Sequence, residues 1–157
     1  MAAEILALAT MAAAAFTAAT LLPGGSEAVF LGLMATVAAP VPALFVVAAL
    51  ANTAGGMTSW WIGRLIATGV ESPRGAALVA RFRLDPAMMA RVQRLFARHG
   101  WMTLLLCWMP VIGDPITLVA GMARYPALPT LIITGLARTM RYAVLWAGVA
   151  GLVAWWG

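Results

Sequence analysis

Residues 20–29 read TLLPGGSEAV, and they interrupt a stretch otherwise suited to lipid. Pro23, Gly24 and Gly25 break the apolar run that starts at Ile5, and Glu27 adds the only charge between Glu4 and Arg64. Proline lacks a backbone donor and glycine gives up backbone entropy, so a helix does not readily continue through all three. A carboxylate at membrane depth needs a partner. The interruption therefore predicts a hairpin tip whose Ser26 and Glu27 face a buried polar site, and the rest of the chain has to supply that site.

Composition sets the solvent. Of 157 residues, 64% are hydrophobic and 10% charged, and the mean hydropathy is +0.95, far from the makeup of a soluble domain. The chain reads as an all-α integral membrane protein, one membrane domain over residues 1–157. All ten basic residues are arginine, against five acids. In so apolar a chain this excess marks a cytoplasmic face and anionic headgroups, and nucleic acid is not an expected partner. Cys107 has no second cysteine and is expected to be a packing residue. The N-terminus lacks a basic n-region and carries Glu4, so it does not read as a cleaved signal peptide.

Residues 28–39 are apolar but too short to cross, since a span takes about 20 helical residues. With the run before them they read as a re-entrant hairpin over residues 5–39, ended by Pro40 and Pro42. Residues 43–66 form a long transmembrane helix that closes on Trp60, Trp61 and Arg64, the aromatic and basic pattern of a cytoplasmic interface. This first repeat, residues 1–70, is followed by a connector at 71–100 and a second repeat at 101–157. In the second, residues 101–123 are broken at Pro110, Gly113 and Pro115 and read as another re-entrant hairpin, and residues 129–156 form another long helix.

Seven of the ten arginines fall between residues 64 and 98, which places the connector in the cytoplasm. Within it, DPAMMARVQRLFARHG has the signals of a short helix: Asp85 as N-cap, Pro86 first, Gly100 as the stop. Met88, Val92, Leu95 and Phe96 share one side and Arg91, Arg94 and Arg98 another, so the helix should lie on the anionic inner leaflet. His99 ends this helix and reads as an interfacial residue. No metal or cofactor is expected.

The interruption has an echo. Pro23-Gly-Gly-Ser-Glu27 is matched by Pro110-Val-Ile-Gly-Asp114, and each is followed by a short apolar piece, a proline-bearing turn and a long helix. If Arg64 is cytoplasmic, the first hairpin dips in from outside and the second from inside, which makes the repeats inverted. Arg138 and Arg141 lie nine and twelve residues past Pro129, roughly 14 and 18 Å along the last helix and so near mid-bilayer. Each costs about 2.5 to 3.5 kcal/mol there unless paired or hydrated. Glu27 and Asp114, one per hairpin tip, are the natural partners, and Asn52 lies at similar depth. The alternative is an ion-pair cluster that only locks the elements together.

The segments PGGSE, GGMTSWWIGR and RHGWMTLLLCWMPVIGDPITLVAG resemble the DedA family of bacterial inner-membrane proteins, which shares the VTT (SNARE-associated Golgi protein) domain, and the likeness is strongest to its short YqaA-like branch. Trp60-Trp61-Ile-Gly63-Arg64 is similar to the family's Tyr-Trp-Ile-Gly-Arg, and Pro110 and Gly121 keep the spacing between its hairpin proline and a later Ala-Gly. The resemblance implies two opposed re-entrant hairpins in a bacterial cytoplasmic membrane protein, with Glu27 as the hairpin acid. It also implies movement of undecaprenyl phosphate or phospholipid, proton-coupled in some members. Larger members carry an Asp where this chain has Gly56, and two arginines around the hairpin proline where it has Cys107 and Gly113. Arg138 and Arg141 would then have to hold the headgroup, freed by protonation of a carboxylate.

A small cation or drug exporter, built on Glu27 and Asp114, and a non-transporting assembly or stability factor stay open beside this reading. An enzyme is not expected, because Ser26 beside Glu27 is the only candidate nucleophile and no histidine lies near it within the membrane. Short membrane elements bury little area and leave room for a homo-oligomer.

Overall fold

The computed structural model of the chain describes residues 1–20, 25–36, 39–69, 86–109 and 113–156. The elements are α1 (Ala2–Thr20), α2 (Ser26–Ala35), α3 (Val41–Gly69), α4 (Pro86–His99), a 3-10 helix (Gly100–Trp108), α5 (Gly113–Met122) and α6 (Ala127–Trp156). Among the described residues there is no strand. Pro42, Pro86, Pro115 and Pro129 all sit within the first three residues of their helices, where the backbone N–H has no partner to lose. The prolines expected to separate elements thus open them, and α3 and α6 each start two residues before the expected 43 and 129. Pro86 opens α4 as its sequence signals, and Asp85 lies outside the described residues. Gly100 carries φ +55°, but the chain continues there into a 3-10 helix of nine residues where the hairpin arm was expected to be α-helical.

α1 and α3 are both long and apolar enough to cross a membrane. They run parallel: Glu4 shares a cleft with Pro40 and Val41, the Ala15 carbonyl accepts from Asn52 Nδ2 at 3.1 Å, and the Ala19 carbonyl accepts from Ser59 Oγ at 2.9 Å. α2 runs back, since its Met34 lines the same cleft as Glu4 while Ser26 lies deep beside Tyr142. α6 is antiparallel to α3, with the Phe45 and Trp146 rings 5.7 Å apart at one end and Trp60 Nε1 donating to the Tyr125 carbonyl at 3.1 Å at the other. The 3-10 helix and α5 begin and end at that second end, where the Phe96 and Tyr125 rings meet at 6.1 Å and Thr103 Oγ1 donates to the Leu95 carbonyl at 3.1 Å.

Helices approach closely where side chains are absent. A Cβ on Gly63 would overlap the Leu118 carbonyl and one on Gly121 the Trp60 carbonyl, so α3 and α5 touch backbone to backbone. A Cβ on Gly55 would come within 2.6 Å of the Phe16 carbonyl, so α1 also lies close against α3, though less tightly than α5 does. Such small-residue contacts suit an interior packed in lipid, where no hydrophobic effect drives helices together.

The core has two apolar clusters with a polar layer between them. One joins Met11, Ala15, Phe30, Leu44, Ala48 and Tyr142; the other joins Trp60, Leu104, Cys107, Ile116, Val119 and Ala137. Between them lie the buried Ser26, Asn52, Thr117 and Arg138. The outside is apolar instead, with Leu6, Leu50, Leu128, Leu136 and Leu152 all more than 60% exposed, and threonines such as Thr10 and Thr17 turn their hydroxyls onto their own helix carbonyls. A polar interior under an apolar exterior is the distribution that a lipid solvent selects. The tryptophan pair divides: Trp61 is 59% exposed, whereas Trp60 is 6% exposed, so only one of the two faces outward as an interfacial anchor would.

Candidate functional site

The polar layer centres on Asn52, at the twelfth position of α3. Its Oδ1 accepts from Arg138 Nη1 at 2.7 Å and from Arg141 Nη2 at 3.5 Å. Its Nδ2 donates to the Ala15 carbonyl at 3.1 Å and to the Tyr142 hydroxyl at 3.3 Å. One amide thus ties α1 and α3 to α6.

The two arginines of α6 have different surroundings. Arg138 is 0% exposed, and its Nη1 also reaches the Asn52 backbone carbonyl at 3.4 Å while Nη2 donates to Thr117 Oγ1 at 3.1 Å. Its guanidinium occupies the space beside Gly56, where a Cβ would stand 3.0 Å from Cζ. The departure at position 56 therefore has a steric counterpart: the missing side chain is what admits Arg138. Thr117 Oγ1 also lies 3.7 Å from Cys107 Sγ, which carries the network onto the 3-10 helix.

Arg141 reaches the other hairpin. Its Nη1 lies 3.2 Å from Glu27 Oε1, with side chains 13% and 23% exposed, and its Cζ stands 5.7 Å from the Tyr142 ring centroid. Among the described residues no acceptor faces Arg141 Nε. Glu27 Oε2 accepts from Ser26 Oγ at 3.3 Å, and Ser26 Oγ accepts in turn from the Tyr142 hydroxyl at 3.0 Å. The Tyr142 ring is held edge-on against Phe30 at 5.4 Å.

Glu27, Asn52, Arg138 and Arg141 thus form one network. Asp114 belongs to the first turn of α5, but its side chain lies outside the described ones, as do Pro23, Gly24 and Pro110. Gly25 precedes α2 with φ +111°, a conformation that favours glycine. Gly113 opens α5, with Pro115 two residues on, and Gly63 and Gly121 form the α3–α5 contact. Arg64 stacks over the Trp60 ring at 5.3 Å. Arg91, Arg94 and Arg98 are exposed on α4, whose Leu95 is half-buried and whose Phe96 packs against the second apolar cluster; the side chains of Met88 and Val92 lie outside the described ones.

One participant escaped the sequence reading: Tyr142. A tyrosine in the middle of an apolar helix needs a partner for its hydroxyl, and that was the available signal. Among the described residues no three His, Cys, Asp or Glu side chains gather into a metal-binding group.

Comparison with known proteins agrees in kind. Residues 6–150 match the VTT domain. The chain is 30% identical over 153 residues to inner membrane protein YqaA of Escherichia coli (strain K12), covering 98% of each chain. It is 28% identical over 140 residues to a protein of Haemophilus influenzae, covering 83% of this chain and 80% of that one. No solved structure matches.

Proposed function

The chain belongs to the VTT-domain (DedA) family, and from that premise we propose that it moves a phosphate-bearing lipid, undecaprenyl phosphate or a phospholipid, across the bacterial inner membrane. The carrying observation is the partly buried Glu27–Arg141 pair, 3.2 Å apart, with Arg141 Nε facing no acceptor among the described residues. A guanidinium offers a planar fork of donors suited to phosphate. One arm is already held by Glu27, so a headgroup competes with the carboxylate for it. Protonation of Glu27 removes the competitor, so a proton and an anion are taken up together.

The roles of the two arginines separate in this mechanism. Arg141 meets the headgroup. Arg138, sealed beneath Gly56, holds Asn52 in place and takes no part in binding, which modifies the expectation that both arginines clamp one headgroup. The α1–α2 pair and the pair formed by the 3-10 helix and α5 act as opposed re-entrant hairpins, related as inverted repeats, and their tips expose the site alternately. α4 rests on the inner leaflet through Arg91, Arg94 and Arg98. The cation-exporter reading is disfavoured because it needs Glu27 free of arginine.

The test is lipid movement in proteoliposomes. Glu27→Gln and Arg141→Ala should each abolish it while the protein still folds and inserts. Normal movement in both variants would sink the proposal.

A further inference from the structure

The hydroxyls of Ser26 and Tyr142 are buried beside Glu27 and the proposed mechanism leaves them unused. Their hydrogen-bond directions follow from donor and acceptor inventory alone. A guanidinium only donates, so the Asn52 atom 2.7 Å from Arg138 Nη1 is the amide oxygen. The Ala15 carbonyl only accepts, which independently places the amide nitrogen at the opposite end. That nitrogen donates to the Tyr142 oxygen, so the Tyr142 proton is directed onward to Ser26 Oγ. The Ser26 proton then goes to Glu27 Oε2. Among the described residues Ser26 Oγ has no other hydrogen-bond partner.

The chain from Arg138 through Asn52, Tyr142 and Ser26 has one polarity, and every donor in it points toward Glu27. A proton on Oε2 would turn that oxygen into a donor facing the Ser26 proton. Ser26 Oγ could then accept from both Glu27 and Tyr142, but its own proton would have no acceptor among the described residues, because the Tyr142 oxygen faces the Asn52 amide N–H and donates to Ser26 itself. Leaving a buried hydroxyl proton without an acceptor is costly. Among the described residues, the groups that face Glu27 are Ser26 on its own helix, Arg141 and Tyr142 from α6, and Asn52 behind them from α3.

We infer that Ser26 and Tyr142 are positioning residues that make Glu27 one-sided: its proton binds on Oε1, the oxygen that holds Arg141, in preference to Oε2, which accepts from Ser26. Protonation and release of Arg141 are then a single event, because the same oxygen cannot carry the proton and keep the ion pair. Without the chain, a proton could rest on Oε2 while Oε1 kept its arginine, and proton uptake would be uncoupled from anion binding. This rests on the reading of Glu27 and Arg141 as the exchanging pair.

The test uses the full-length protein in phosphatidylglycerol vesicles, with infrared difference spectroscopy on acidification and the pH profile of lipid movement as two readouts. The protonated carboxyl band of Glu27 is identified by its loss in Glu27→Gln. In the wild type the carbonyl oxygen is Oε2 and accepts from Ser26, so the band lies at the low wavenumber of a hydrogen-bonded acid. In Ser26→Ala it should move to higher wavenumber, and the acid-side rise in lipid movement should flatten. Tyr142→Phe, which keeps the ring against Phe30, should move both in the same direction by less. Ser26→Thr should restore both. A Glu27 band that never appears, or a band and pH profile in Ser26→Ala equal to the wild type, overturns the inference. If the band shifts as expected but the wild type moves no lipid, the proposed function falls and the one-sided carboxyl stands. If Glu27→Gln abolishes movement and Ser26→Ala behaves as wild type in both readouts, the inference falls alone.

Discussion

Arg138 and Arg141 sit one helical turn apart on α6 and share the same acceptor, Asn52 Oδ1, yet they belong to different parts of the molecule. The Arg138 end of the polar layer is closed: the guanidinium is fully buried, Gly56 makes room for it, and α5 covers it through Thr117. The Arg141 end is partly open and faces an acid on a different hairpin. A charge sealed with its partners behaves as structure, because removing any partner leaves it uncompensated. A charge that is only partly covered can exchange partners. The difference teaches that depth in the membrane and residue type do not assign a role; access does.

The comparison breaks first at Asn52. Asn52→Leu leaves the Arg138 charge without its 2.7 Å acceptor and should cost about 3 to 5 kcal/mol of stability, read by reversible unfolding in mixed micelles; a loss no larger than that of Arg141→Ala would show that the two ends are alike. Gly121→Ala comes next, since its Cβ overlaps the Trp60 carbonyl. Forcing α5 from α3 should cost roughly 1 to 3 kcal/mol and loosen the cover over Arg138, seen as faster amide exchange around Thr117.

Gly56→Ala sharpens the contrast further. A methyl group 3.0 Å from the Arg138 Cζ requires the guanidinium to shift slightly, for a loss of about 1 kcal/mol, while lipid movement in proteoliposomes should persist because Arg141 is untouched. A variant that kept full stability but lost movement would place Arg138 at the headgroup after all. Arg141→Ala should cost less stability than Asn52→Leu, because Glu27, the charge it leaves behind, is 23% exposed and keeps Ser26 as a partner, and lipid movement should be lost completely. That opposition of stability and activity is the clearest signature of the division between the two ends.

Much of this was legible in the chain. The apolar composition, the end of α1 ahead of Pro23 and the shared level of Arg138, Arg141 and Asn52 follow from composition and from counting residues against a 1.5 Å rise. The helix starts shifted because a proline late in an apolar gap reads equally as a stop for the piece before it or as the first turn of the piece after it, and in α3 and α6 the second held. The Trp60–Trp61 pair could not be divided from sequence, since neighbours on a helix point about 100° apart and either could face inward. Gly63 and Gly121 were visible as a motif, but not as each other's neighbours across two helices.

The sequence by itself determined that the protein lives in lipid, belongs to its family, and carries acids and arginines inside apolar segments, because a charge that would be costly in hydrocarbon is conspicuous in any reading. Tertiary structure alone decided which arginine is sealed and which is open, and that Ser26 and Tyr142 connect them to the acid. Residues three apart on a helix point about 60° from one another, and only the packing of α1, α2, α3 and α5 around α6 settles what fills each of those directions.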